Sequence, residues 1–423
     1  MKWRKFTTES GVPLWFLPMP YVRNTSLGVL TLRGSRDEIY PTHYSSSSVT
    51  DTSCPDEAGL AHALEHMYFQ GSIRCFRNSK EIAIYIEEVG GVDNAYTAEE
   101  ETFYFHKITS GEIGRSIKIL GESLLYPLFP EEVIPTQMSV VMHELSGRAD
   151  DPDLFFSELW MKTRMAGHPL SQNPIGLKES IEKFKREDFL RFARKHYHYG
   201  NFVYIAVGSI EAERLVNLIN IYFPKRAMEA ENISRVVSHV PATPEGRLIL
   251  QKDVNETRVI AGAAFGKPDI RLVRALKLFS CMIGGGASFP LFQEVREEKG
   301  YCYDIGVKIN DYSDAVIFNV SFATSPEHYE NALQLVFKIM KREKTNSELL
   351  SRAKKLIKGR ADLEDGTMNF LFGAAERISL YGEPMDHEEI IRLYDAVTID
   401  DVTEAVDKYL GEDKFYTGIL LPG

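Results

Sequence analysis

The sequence predicts an α+β protein made of two tandem homologous domains, each an antiparallel sheet with helices packed on it. Three observations lead there. The chain has 423 residues, enough for two or three domains of ordinary size. Each half mixes amphipathic helical runs with short runs of β-branched and aromatic residues, the pattern of helices layered on a sheet. The chain also repeats itself. Residues Ile181 to Tyr197, followed by Phe202-Val-Tyr-Ile-Ala-Val, return as Thr398-Ile-Asp400-Asp401-Val402, Lys408-Tyr409 and Phe415-Tyr-Thr-Gly-Ile-Leu. Asp188 and Asp401 are 401 − 188 = 213 positions apart, about half the chain, as in a tandem duplication. The expected division is a domain over 1–224, a linker over 225–247 and a second domain over 248–423. The linker is polar and carries Pro241 and Pro244, which resist regular structure.

Along the first half, the informative stretch is Gly59-Leu-Ala-His62-Ala-Leu-Glu65-His66-Met-Tyr-Phe. Its apolar periodicity is helical. Residues four apart share a helix face, so His62 and His66 can present ring nitrogens to one ion, with Glu65 on the same side. Neutral imidazoles suit zinc, and a catalytic zinc keeps an open position for water. A carboxylate within reach can take the proton as that water attacks a carbonyl. The expectation is one Zn2+ per chain, held by His62, His66 and a third ligand further on, with Glu65 as general base. His143 and Glu144 are both candidates for that ligand; neighbouring helical residues diverge by about 100°, so only one can face the ion. Next comes Gly90-Gly91 and an alternation of Thr, Phe and Tyr up to Phe105, read as a turn and a strand.

In the second half, Gly284-Gly285-Gly286 lacks the Lys-Ser/Thr of a phosphate loop. It reads as a helix terminus with close packing. The zinc motif occurs in the first copy only, which frees the second to specialise in substrate contacts.

These blocks together resemble the inverted-zincin metallopeptidases, the family of pitrilysin, insulin-degrading enzyme and the mitochondrial processing peptidases, in a short two-domain bacterial-type form. The resemblance covers nearly the whole chain and rests on His62-Ala-Leu-Glu65-His66, on Gly90 to Tyr104, on Met138-Ser-Val-Val-Met-His143-Glu144-Leu, and on Gly284 to Tyr303. It implies that Glu144 is the third ligand and that Asn94 and Ala95 lie on an edge strand that pairs with the substrate backbone, as a reader of extended peptides needs. It implies that Arg296 and Tyr303, seven residues apart, contact the substrate, the guanidinium holding a carbonyl or carboxylate and the phenol bonding the developing oxyanion. It implies supporting roles for Glu100, which could accept the second N–H of a zinc histidine, and for Gln137, which stands where the family usually has a glutamate seven residues before the ligand. It further implies two halves facing each other like a clamshell around a chamber. The segment from Ile39 to Ala58, with Ser45 to Ser48, is longer than the family's usual connection; such a loop can gate access, contact a partner or simply move.

Lys plus Arg number 49 against 60 Asp plus Glu, a net charge of −11, which argues against nucleic acid and anionic membranes as partners. No apolar run has the length of a membrane span, and the first residues lack a signal-peptide core. The expected setting is the cytoplasm, with Cys54, Cys75, Cys281 and Cys302 as reduced thiols. The expected function is a zinc endopeptidase acting on short or unfolded peptides, working as a homodimer or as a heterodimer with a related chain. The alternative is a non-catalytic or partner-dependent subunit of a two-chain processing peptidase.

Overall fold

The computed structural model describes residues 1–38, 56–225, 235 and 237–423. Most of the Ile39–Ala58 segment, with Cys54, and part of the 225–247 linker therefore lie outside the described residues. In chain order the first half runs β1 (Arg4–Thr7), β2 (Pro13–Pro18), β3 (Asn24–Thr31), α1 (Leu60–Tyr68), α2 (Ser79–Glu87), β4 (Val92–Thr97), β5 (Thr102–Thr109), α3 (Ile113–Leu125), α4 (Ile134–Asp150), α5 (Pro152–Arg164), α6 (Lys178–Ile181), α7 (Arg186–His196), β6 (Phe202–Gly208) and α8 (Ala212–Tyr222). The second half runs β7 (Arg247–Lys252), β8 (Thr257–Gly266), α9 (Ile270–Gly284), a π-helix (Leu291–Glu298), β9 (Cys302–Asp311), β10 (Ala315–Thr324), α10 (Tyr329–Glu343), α11 (Ser347–Leu363), α12 (Thr367–Tyr381), α13 (His387–Asp395), α14 (Ile399–Tyr409) and β11 (Tyr416–Pro422).

The duplication is visible in the topology. The first sheet has the order β1-β2-β6-β3-β5-β4 and the second β7-β11-β8-β10-β9. Without β1 the two orders correspond strand for strand. Helices α7 and α14 begin 399 − 186 = 213 residues apart, the offset of the sequence repeat. Both sheets are mixed and not wholly antiparallel, because β2–β6 and β7–β11 pair in parallel. In each copy the last strand returns after a long helical excursion and enters beside β2 or β7, a connection that permits parallel pairing.

The chain forms two compact units that do not follow a single cut. The first comprises Met1–Gly147, Gln172–Val236 and Glu364–His387; the second comprises Arg148–Ser171, Val237–Leu363 and Glu388–Gly423. Each unit thus contains one helical segment from the other half of the sequence.

In the first unit, alternate strand residues bury opposite faces of the sheet, as the twofold side-chain period of a strand requires. Leu27, Val29, Tyr104, Phe202, Tyr204 and Ala206 join a core with α1, α2, α3, α7 and α8. Leu30, Phe103, Phe105, Val203, Ile205 and Val207 pack on the other face against Leu371, Ala374, Ala375 and Ile378. Those four residues form one stripe of α12 at helical spacing. In the second unit, Val259, Ala261, Phe318, Val320 and Phe322 face α9, α10, α11 and α14. Ile260, Ala264, Ile317, Tyr416 and Leu420 face Phe156 and Trp160 of α5. The Trp160 indole lies where a Cβ on Gly262 would come within 2.6 Å of it, so the sheet surface needs glycine there. Its Nε1 donates to Tyr416 O at 3.1 Å, and Arg164 donates to Ala264 O at 2.5 Å and Pro241 O at 3.0 Å. Gly284 closes α9, and a Cβ on it would come within 2.6 Å of Val307, the close packing that the sequence suggests for the triple glycine. Cys75, Cys281 and Cys302 are free thiols.

Candidate metal centre

Helix α1 starts at Gly59, whose φ of 91° places it in the left-handed region that glycine enters without strain. Lacking a side chain, Gly59 cannot cap the helix. The cap comes from Glu38, whose buried carboxylate accepts from Gly59 N at 2.9 Å and Ala61 N at 2.7 Å. Apart from His62 and His66, every residue of α1 is buried, so its orientation is set by packing. Tyr68 packs against Tyr104, Phe129 and Tyr197 beneath it.

One turn apart, His62 and His66 have ring centroids 4.8 Å from each other. Helix α4 brings Glu144 to both: His62 Nε2 is 3.4 Å from one carboxylate oxygen and His66 Nε2 is 3.6 Å from the other. One ligand atom from each of the three residues lies within 4.8 Å of the others. Donors about 2.0–2.2 Å from a tetrahedral zinc stand roughly 3.3–3.6 Å apart, so two nitrogens and a carboxylate at these spacings fit that ion in both chemistry and reach. His143, the rival for third ligand, is not in this group; both it and Glu144 are exposed, so position and not burial separates them.

Glu65 is only 9% exposed. Burial raises its carboxyl to about 7, opposed by a hydrogen bond from Thr97 and reinforced by the charge of Glu144. The Thr97 hydroxyl, at the end of β4, donates to Glu65 Oε2 at 2.5 Å. Burial lowers the His66 imidazole, while the Glu144 carboxylate and a hydrogen bond with the Gln137 side chain pull it back up. Gln137 therefore touches a histidine of the centre. Glu100 sits elsewhere, in a buried ion-pair network: it pairs with Arg36 and lies 3.6 Å from Arg235, which also binds Asp37 at 3.0 Å. Strand β4 is the edge of its sheet, so Asn94 and Ala95 lie on an edge strand.

The remaining site candidates belong to the second unit. Arg296 lies on the π-helix, its guanidinium 4.3 Å from the Phe292 ring centre and 4.6 Å from that of Tyr303. Tyr303, on edge strand β9, is 76% exposed. Two rings within cation–π distance restrict the guanidinium. The sequence reading missed Glu38, Thr97 and Phe292. Only Phe292 carries a local signal, four residues before Arg296, where helical side chains meet.

The chain has recognisable relatives. Residues 49–176 match the family described as insulinase (peptidase family M16), and residues 183–357 match the peptidase M16 inactive domain. A Rickettsia felis protein named as an uncharacterized zinc protease is 28% identical over 411 residues, covering 95% of this chain and 93% of that one. A crystal structure of a putative M16-like peptidase from Alicyclobacillus acidocaldarius superposes with a TM-score of 0.86 at 19% identity, covering 100% of this chain and 98% of that one. That of a protease from Helicobacter pylori gives 0.84 at 19% identity, with coverage of 100% and 99%. The structural likeness extends over the whole fold.

Proposed function

Because the chain belongs to the insulinase (M16) peptidase family, we propose that it is a zinc-dependent endopeptidase that cleaves short or unfolded peptides, with His62, His66 and Glu144 as metal ligands and Glu65 as general base. The observation that carries this reading is the convergence of two imidazoles and a carboxylate beside a buried glutamate. A zinc ion held there would supply positive charge that polarises a peptide carbonyl and acidifies water. The chain's own groups account for the rest. Glu65, its carboxyl raised to about 7 by burial, accepts the proton of the attacking water and can return it to the leaving amine. Thr97 occupies one of its oxygens and leaves the other for that proton. Gln137 holds the His66 ring by hydrogen bonding, with an amide where the family usually carries charge. The edge of β4 at Asn94 and Ala95 pairs with an extended substrate backbone, which recognises shape without demanding a sequence. Arg296 and Tyr303, by their match to the family's second-domain block, bind substrate carbonyls and the developing oxyanion. The match of residues 183–357 to a domain described as inactive agrees with a zinc motif confined to the first copy.

The test is digestion of a library of unstructured peptides, read by mass spectrometry, with and without a zinc chelator and alongside Glu65→Gln. The expected result is chelator-sensitive cutting that falls by about 10²–10⁴-fold in Glu65→Gln while zinc content is kept. A zinc-loaded Glu65→Gln chain that cuts at the wild-type rate would refute the role of Glu65. No cutting by a zinc-loaded wild type would favour the partner-dependent subunit.

A further inference from the structure

We propose that Glu38 is a positioning residue of the metal helix: its carboxylate, supplied from outside the H-x-x-E-H motif, fixes the first turn of α1 and with it the place of His62. The inference rests on the peptidase reading above and goes beyond the motif residues to which that reading assigns the chemistry.

A helix start leaves four N–H groups without intrahelical partners, and an uncapped first turn frays. His62 is the third residue of that turn, counting from Leu60. Fraying would carry it away from His66, one turn further on. Gly59 cannot provide the cap in place. A Cβ there would lie 2.2 Å from Ile175 O, and its φ is 91°. Gly176 is equally constrained from the other side, since a Cβ on it would meet Gly59 Cα at 2.3 Å. The backbone of Ile175 and Gly176 thus takes the space in which a capping side chain would begin. Glu38, 21 residues before Gly59, fills the need with both carboxylate oxygens, one on Gly59 N and one on Ala61 N. Its negative charge also meets the positive end of the helix dipole.

Glu38 is itself held. It follows a short 3-10 turn, Ser35–Asp37, pinned to the connection between β4 and β5 by Ser35 N to Ala98 O at 3.0 Å and Arg36 N to Glu99 O at 2.9 Å. The Arg36–Glu100 ion pair locks the same contact. Gly34 permits the approach, because a Cβ on it would lie 2.2 Å from Ala98 O. Thr97, one residue before that connection, holds Glu65. A single rigid piece therefore grips α1 twice, at its first turn through Glu38 and at the proposed base through Thr97. Glu100 is not one of the grouped metal-site residues and braces this turn through Arg36.

The experiment compares wild type, Glu38→Gln, Glu38→Asp and Ser116→Ala. Ser116→Ala removes a buried hydrogen bond to His106 in the same unit and serves as the control for plain loss of stability. The readouts are the zinc dissociation constant by chelator competition, Tm without metal, and kcat and KM on a fluorogenic peptide. Gln keeps the volume of Glu38 but loses the charge and one acceptor; Asp keeps the charge but is too short to reach both amides. The expected result is zinc affinity about tenfold weaker and kcat about tenfold lower in Glu38→Gln, the size seen when groups supporting metal ligands are removed, with KM unchanged. Glu38→Asp should fall between. Ser116→Ala should lower Tm and leave zinc affinity alone. If both Glu38 variants lower Tm as Ser116→Ala does but bind zinc as wild type does, Glu38 is merely structural and the inference is overturned. Should Glu38→Gln fail to fold, Glu38→Asp alone decides: wild-type zinc affinity in it overturns the proposal. A wild-type chain that binds no zinc defeats the peptidase reading and the inference together, whereas failure confined to the Glu38 variants defeats the inference alone.

Discussion

His62, Glu65 and His66 can be read from the sequence because their geometry is local: a helix of 3.6 residues per turn puts them on one side wherever it sits. The groups that tune them are not local. Thr97 meets Glu65 across 32 positions and Glu38 meets Gly59 across 21, and no spacing rule links such pairs before the fold is known. Glu100 shows the converse, since its closeness in sequence to an acidic run and a conspicuous block says nothing of the arginines that claim it. Buried histidines away from the centre carry a separate prediction. Burial lowers His106 from an ordinary 6.5 to about 3 and His196 to about 4. Each stays neutral in the folded chain but takes a proton below 6.5 when unfolded. Their stabilising share is therefore whole above pH 6.5 and is lost as pH falls towards those lowered values, on the order of 2 kcal/mol each at pH 5. Glu65, raised by burial, works in the opposite sense, so the effect is isolated by difference. Relative to wild type, His106→Gln should gain about 2 kcal/mol in urea unfolding between pH 7 and pH 5; a constant difference over that range would count against the buried neutral state.

At the scale of elements, α1 followed its hydrophobic period and the triple glycine behaved as a helix end, whereas the single strand expected after Gly90-Gly91 is two, β4 and β5, paired antiparallel across a turn at 98–101. The parallel pairing of β2 with β6 and β7 with β11 was hidden, because a buried strand reads alike in either direction. The start of α1 is the element most exposed to single changes. Gly59→Ala adds one methyl group to a residue at φ 91° with a carbonyl 2.2 Å from the new atom. Backbone strain in the left-handed region costs about 1 kcal/mol and the clash adds more. Zinc-free Gly59→Ala should lose roughly 3 kcal/mol or more of stability in urea titration, against a much smaller loss for Gly90→Ala, where φ is 68° and nothing stands within 4 Å of the added atom. Equal losses would show that the Ile175 contact yields easily.

On the scale of the whole molecule, the 213-residue repeat announced two copies, and the two sheets repeat one strand order. What the repeat could not announce is the exchange of α5 and α12, since a duplicated sequence gives no sign of which copy a given helix packs against. Residues 1–236 expressed alone would lack α12 and leave Leu30, Phe103, Phe105, Val203, Ile205 and Val207 uncovered. Large apolar side chains are worth about 1.5–3 kcal/mol each when buried. That fragment should bind a hydrophobic dye and aggregate, and a peptide spanning 364–387 should suppress both; a soluble, cooperatively unfolding fragment would contradict the packing. The exchange also sets an order of events during synthesis. Translation runs from the N-terminus, and domains ordinarily close as they emerge. Here the ribosome has made the whole H-x-x-E-H region long before it reaches Glu364–His387, the last piece of the first unit. The first unit therefore cannot close as its H-x-x-E-H helix emerges, and whatever depends on that closed unit waits until α12 has been made.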